Sequence, residues 1–216
     1  MQTVVSPFRL KPHADDMIRM GVVDMDRYLA SDPKIMVVTK GILPCVEGIV
    51  SSSWRECAQG KHFVVQRDLA VHRLELMCRG ILNGFPPWQE LVGGAAKGAS
   101  KDVLWQVAYV SVPRFRDATL YRRVSIRERY LGLSRLVRGH IETYKPDIVL
   151  FAGTLELFGE GLGLGIGMGS SLMEQMVGGE TRIYIGAPDL EVRSSGLRYY
   201  EGIRSSMNAL SMSGVW

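Results

Sequence analysis

The stretch Tyr144-Lys-Pro-Asp-Ile-Val-Leu-Phe-Ala-Gly-Thr154 decides the fold. Its centre, Asp147 to Ala152, is an unbroken apolar run that follows Pro146 and precedes a glycine. A strand that is apolar at every position is buried on both faces, which is the pattern of a parallel sheet covered by helices. Just upstream, Ile126, Tyr130, Leu133, Val137, Ile141 and Tyr144 recur at alternating steps of four and three residues. That spacing predicts an amphipathic helix over 118–144, closed by Pro146. Working outward, the β-branched run Lys34 to Thr39 predicts a strand, with Cys45 to Ser51 as its candidate hairpin partner. Asp102 to Val112 and 181–186 predict further strands, and Phe63 to Val65 a strand edge. Helices are expected over 14–29, from Arg67 to Asn83, over 170–177 and over 196–212. Residues 84–101, rich in Gly, Ala and Pro, read as a surface loop. Strand and helix in alternation argue for an α/β sheet with crossover helices. The expected organisation is an N-terminal helical extension, 1–33, and a single α/β domain, 34–216.

Composition narrows the class. At 216 residues, with 46% hydrophobic and 22% charged, the chain can bury a core without disulfides or metal. Cys45, Cys57 and Cys78 are odd in number and follow no metal-ligand spacing, so reduced thiols in a cytoplasmic or other reducing compartment are expected. The first residues carry no uninterrupted apolar segment, and no run of about 18 apolar residues exists, so neither a secretory signal nor a membrane span is expected. The formal charge of +4 permits an acidic partner without requiring one.

Local charge says more. Arg114, Arg116, Arg122, Arg123, Arg127, Arg129, Arg135 and Arg138 face only Asp117 and Glu128 between them. Several fall off the apolar stripe and would form a positive ridge, and Arg193 adds a later cation. Clustered arginines neutralise phosphates and release counterions, so DNA or RNA is the partner this pattern points to; a merely solvated helix face is the plainer alternative. A second feature is the alternating run Gly159, Gly161, Gly163, Gly165, Gly167, Gly169, expected as a loop between a strand and a helix. It lacks the Gly-Lys-Ser/Thr of a P-loop, and close backbone packing explains it better than nucleotide binding. The histidines, His13, His62, His72 and His140, stand in no catalytic-triad context.

Three blocks together resemble the RuvC-type resolvases. Residues 131–152, LGLSRLVRGHIETYKPDIVLFA, resemble a helix followed by that family's Pro-Asp-hydrophobic strand. Residues 162–177, LGLGIGMGSSLMEQMV, resemble its small-residue helix, and residues 188–210, PDLEVRSSGLRYYEGIRSSMNAL, its closing helix. Residues 35–50 resemble, more weakly, its first hairpin. The resemblance implies an RNase H-like mixed sheet flanked by helices, and a surface for branched or duplex nucleic acid. It also implies carboxylates converging on divalent metal ions. This chain has Thr39 and Ala152 where the first-strand and strand-end acids would stand, and neither can supply an anionic oxygen. Glu47, Glu156, Asp189 and Glu201 are the candidate replacements.

Three readings follow. The first is a nucleic-acid-binding relative with an inactive metal site and no cofactor. The second is a structural or assembly protein, of a virion or another large complex, built from homo-oligomers. The third is a nuclease whose carboxylates have moved, with Mg²⁺ as its cofactor.

Overall fold

The computed structural model describes residues 19–22, 24–40, 65–95, 101–112, 126–164, 172–177, 180–190 and 195–212. Its centre is the predicted apolar strand, β4 (Ile148–Ala152), buried at every position. On one side β4 pairs in parallel with β2 (Ile35–Lys40), and β2 in parallel with β3 (Val107–Val112). On the other side β4 pairs in parallel with β6 (Glu180–Ala187). Antiparallel strands finish both margins: β1 (Arg19–Val22) on β3 and β5 (Leu172–Val177) on β6. The result is a six-stranded mixed sheet in the order β1-β3-β2-β4-β6-β5.

Helices cover both faces because the parallel strands are apolar on both. Against one face lie α2 (Val65–Leu82), α3 (Trp88–Ala95), the 3-10 segment Lys101–Gln106 and α6 (Gly196–Met212). Leu74, Met77, Leu91, Leu104, Tyr200 and Ile203 from these elements meet Val37, Leu150 and Ile185 of the sheet. Against the other lie α1 (Met25–Ala30), α4 (Ile126–Tyr144) and α5 (Leu155–Leu162). Here Tyr130, Val137 and Ile141, three members of the predicted stripe, meet Val38, Val149 and Phe151. Phe151 is fully buried and lies between Phe158 and Tyr184, with ring centroids 6.4 Å and 6.3 Å away. Burial of such a ring contributes roughly 3 kcal/mol.

Close helix contacts explain two small residues. A Cβ on Gly161 of α5 would lie 2.1 Å from Ser134 Oγ of α4, so that pair sets the spacing of the two helices. A Cβ on Gly80 of α2 would lie 2.5 Å from the Tyr200 ring of α6.

Several expectations are corrected. Residues 170–177 are not a helix: 172–177 form β5, held by an antiparallel register from Leu172↔Ile185 to Val177↔Glu180. The spacing of Leu172, Met173, Met176 and Val177 fits either period. The small-residue block of the resemblance is therefore not helical over these residues. Residues 19–22 belong to β1 rather than to a helix spanning 14–29, and only Met25–Ala30 is helical. The loop expected at 84–101 contains α3, whose Leu91 is buried at 2% exposure and drives the segment onto the core. The strand expected from Asp102 begins only at Val107, because Val103 and Leu104 reach the core from a 3-10 turn. Val65 opens α2 and is not a strand edge. Gly159 and Gly161 lie inside α5, and Gly163 ends it at φ 75°, so the glycine run is in part helical. Both edges of β2 are taken by parallel neighbours, so a hairpin return from Cys45 to Ser51 has no free edge on it. Those residues, like 118–125 of the predicted long helix, lie outside the described ones.

Candidate nucleic-acid interface

Parallel strands end together, and the ends are what this fold offers a ligand. Ser111, Thr39, Ala152 and Ala187 stand side by side in register across β3, β2, β4 and β6, all buried. The chain passes from β2 to β3 on one side, then returns across β2 to β4 on the other. At such a reversal the connections diverge and open a crevice beyond the carboxyl ends of the strands, where ligands of open α/β sheets bind. Thr154 follows β4 at this end. It is fully buried, and its hydroxyl donates to the Val38 carbonyl oxygen at 2.9 Å, tying the end of β4 to β2.

Gly153 makes the turn into α5 at φ 66°, a conformation costly for any residue with a Cβ. Its N–H donates to the Ala187 carbonyl at 2.7 Å, extending the β4 and β6 ladder by one step. Asp189 packs against it so closely that a Cβ on Gly153 would lie 2.9 Å from the Asp189 Cα.

The turn that carries Asp189 is held from two helices. Arg73 of α2, buried at 8% exposure, donates from Nη1 to the Leu190 carbonyl at 2.6 Å. The same guanidinium lies 5.8 Å over the Tyr199 ring of α6. The Tyr199 hydroxyl donates to the Pro188 carbonyl. Burial, with the Asp189 carboxylate adding to it and Arg73 opposing, raises the Tyr199 pKa, so the phenol stays a neutral donor.

The predicted site residues fall into distinct places. Thr39 and Ala152 are register neighbours on adjacent strands. Asp189 is half-buried at the carboxyl end of β6, and Glu156 is exposed in the first turn of α5, at the carboxyl end of β4. Glu201 is engaged elsewhere: both its oxygens lie within 3.4 Å of Arg204 Nη1 along α6. Among the described residues no three His, Cys, Asp or Glu side chains gather where they could hold a metal ion.

Of the arginines, Arg135 and Arg138 are exposed on α4, and Arg127 lies in its first turn. Arg138 donates to the Gly161 carbonyl at 2.9 Å, at the negative end of α5, so one member of the ridge serves a helix terminus. Arg114, Arg116, Arg122, Arg123, Arg193 and Glu47 lie outside the described residues. Sequence reading did not single out Arg73 or Tyr199, and it gave no role to Gly153 or Thr154. A glycine and a threonine directly after a fully apolar strand were the available signal for the last two.

The chain matches no known family model and no curated protein. Among the described residues no helix is long and apolar enough to cross a membrane. The chain is an α/β protein with a mixed sheet between two helical layers.

Proposed function

We propose that this chain binds nucleic acid along the carboxyl edge of its sheet, through phosphate contacts and without catalysis. One observation carries the reading. Residues 113–125, which include Arg114, Arg116, Arg122 and Arg123, run between Val112 at the carboxyl end of β3 and Ile126 at the start of α4. The far end of α4 feeds the amino end of β4. A helix of its length spans roughly 28 Å, enough to cross the sheet and put Ile126 back at the carboxyl edge. The arginine-rich segment is thus tethered at both ends beside the switch point. The positive poles of α4 and α5 add to the same edge.

The resemblance to the RuvC-type resolvases bears on the site and not on the binding edge. The adjacent Thr39 and Ala152 suit a metal site that has lost its acids, and an RNase H-like ancestry would account for them. The parallel neighbours on both sides of β2 and the strand at 172–177 speak for no such ancestry. Binding is argued from the edge and stands without it.

The test is fluorescence anisotropy with labelled single-stranded DNA, duplex and a four-way junction. Binding is expected near 50 mM salt and should weaken by on the order of 100-fold or more near 200 mM. Arg122→Glu with Arg123→Glu should cost a comparable factor at low salt. No binding of any probe at low salt, or binding indifferent to the double charge reversal, overturns the proposal. Mg²⁺-dependent cleavage of the junction that Glu156→Gln abolishes would replace it with an active nuclease.

A further inference from the structure

Independently of nucleic-acid binding, we infer that the ridge where α3 meets the start of α6 is a docking surface for a second copy of this chain, paired with the first across a two-fold axis.

Trp88 is the centre of that surface. Its ring reaches across to α6, where a Cβ on Gly196 would lie 3.2 Å from it, and its centroid stands 5.9 Å from that of Tyr200. The absent side chain at Gly196 lets the indole lie against α6, half-buried and fixed in place. Around it the surface is apolar. Val92, one turn along α3 from Trp88, is 38% exposed, Leu197 beside Gly196 is 44% exposed, and Pro87 is exposed as well. Leu91 and Tyr200, both buried, anchor the two helices to the core, so the outward Val92 and Leu197 add little to the fold. A leucine exposed alone needs no explanation. Apolar side chains grouped round a half-buried tryptophan have the make-up of a protein–protein contact, where tryptophan is enriched at the centre and charge is kept to the rim.

The rim identifies the occupant. Helix positions two apart lie about 200° apart round the axis. Arg198, two after Gly196, and Glu90, two after Trp88, therefore fall on the outer flanks of α6 and α3, on opposite sides of the patch, and both are exposed. Among the described residues neither has an ion-pair partner. Between the flanks Arg204 pairs with Glu201 and donates from Nε to the Phe85 carbonyl at 3.1 Å, so that strip carries no net charge. A rim of both signs is unsuited to a polyanion, whose phosphates call for cations throughout. It suits a copy of itself. A two-fold axis exchanges the two sides of an interface. It sets the Arg198 of one protomer against the partner's Glu90, twice over, and brings the two apolar centres face to face.

The experiment is sedimentation equilibrium of the full chain without nucleic acid, from micromolar concentration up to roughly 200 μM. A species of twice the chain mass is expected within that range. Leu197→Glu puts a charge on the exposed apolar centre and should leave only monomer, with the melting temperature of the monomer unchanged. Glu90→Arg and Arg198→Glu should each weaken the dimer by about tenfold, because each sets like charges against one another. The two reversals in one chain should restore the dimer, since the exchanged pair attracts again. Should Leu197→Glu melt early, the reversals, both on exposed side chains, decide alone. A wild-type chain that is monomeric throughout overturns the inference and leaves the patch to a different protein. So does a dimer that Leu197→Glu leaves intact in a folded chain, or a double reversal that associates no better than the single ones.

Discussion

At the amino end of the sheet the chain is tied to itself. Asp147 accepts from the Lys34 N–H at 2.7 Å and donates its own N–H to the Lys34 carbonyl. The Ile183 N–H reaches the Asp147 carbonyl at 2.9 Å, so β2, β4 and β6 are joined through one residue. Arg182, buried at 5% exposure, donates to the Pro146 carbonyl at 2.8 Å, and the Tyr28 hydroxyl donates to the Tyr144 carbonyl at 3.1 Å. Only residues 145–147 connect α4 to β4 there. At the carboxyl end more residues separate the described elements, 41–64 after β2 and 113–125 after β3, and the second stretch contains Arg114, Arg116, Arg122 and Arg123. The difference separates two duties. Side chains at the amino end satisfy backbone groups and set the register, whereas the arginine-rich segment 113–125 is joined to the carboxyl end of β3.

Substitutions should therefore divide by end. The largest stability effect is expected from Gly153→Ala. It combines a left-handed backbone with a Cβ forced to within 2.9 Å of backbone at Asp189, a loss of about 3 kcal/mol in denaturant unfolding. An unchanged midpoint would show that the corner is not tight. Arg182→Ala at the other end leaves the Pro146 carbonyl without its partner and should cost about 2 kcal/mol. Its affinity for DNA, measured well below the melting temperature, should match wild type, and a weakened affinity would blur the division of duties.

The smallest effect concerns pH. His140 is partly buried on α4 beside the Tyr144 ring, its Nδ1 is without a partner, and burial lowers its pKa below 6.5. The folded state prefers the neutral ring, so this contribution is present above pH 6.5 and is lost as pH falls through the depressed folded value. Thermal melts at about pH 7.5 and 5.5 should differ less for His140→Gln than for wild type; an identical pH dependence would remove His140 as the cause.

How much of this was legible depended on the length and purity of each pattern. The apolar run at 148–152, the stripe at 126–144 and the helix at 196–212 admit one period each, and all three stand where the spacing put them. Leu172 to Val177 is short enough to satisfy both periods, and only pairing with β6 decides it. Met20 lies in β1 through pairing to Val110, a partner ninety residues away that no local window reveals. At the site, Asp189 and Glu156 were readable as acids following strand ends. The clamp was not: Arg73 sits in the middle of α2 with nothing in its neighbourhood to distinguish it from a solvated arginine, and only the fold brings it to Leu190.

Amide hydrogen exchange with and without bound DNA tests the assignment of the two ends most directly. Added protection is expected in the segments that leave the carboxyl edge, 113–125 and 188–195, and at the start of α5, with Lys34, Asp147 and Arg182 unchanged. Protection confined to the amino end, or spread evenly over the chain, would contradict it.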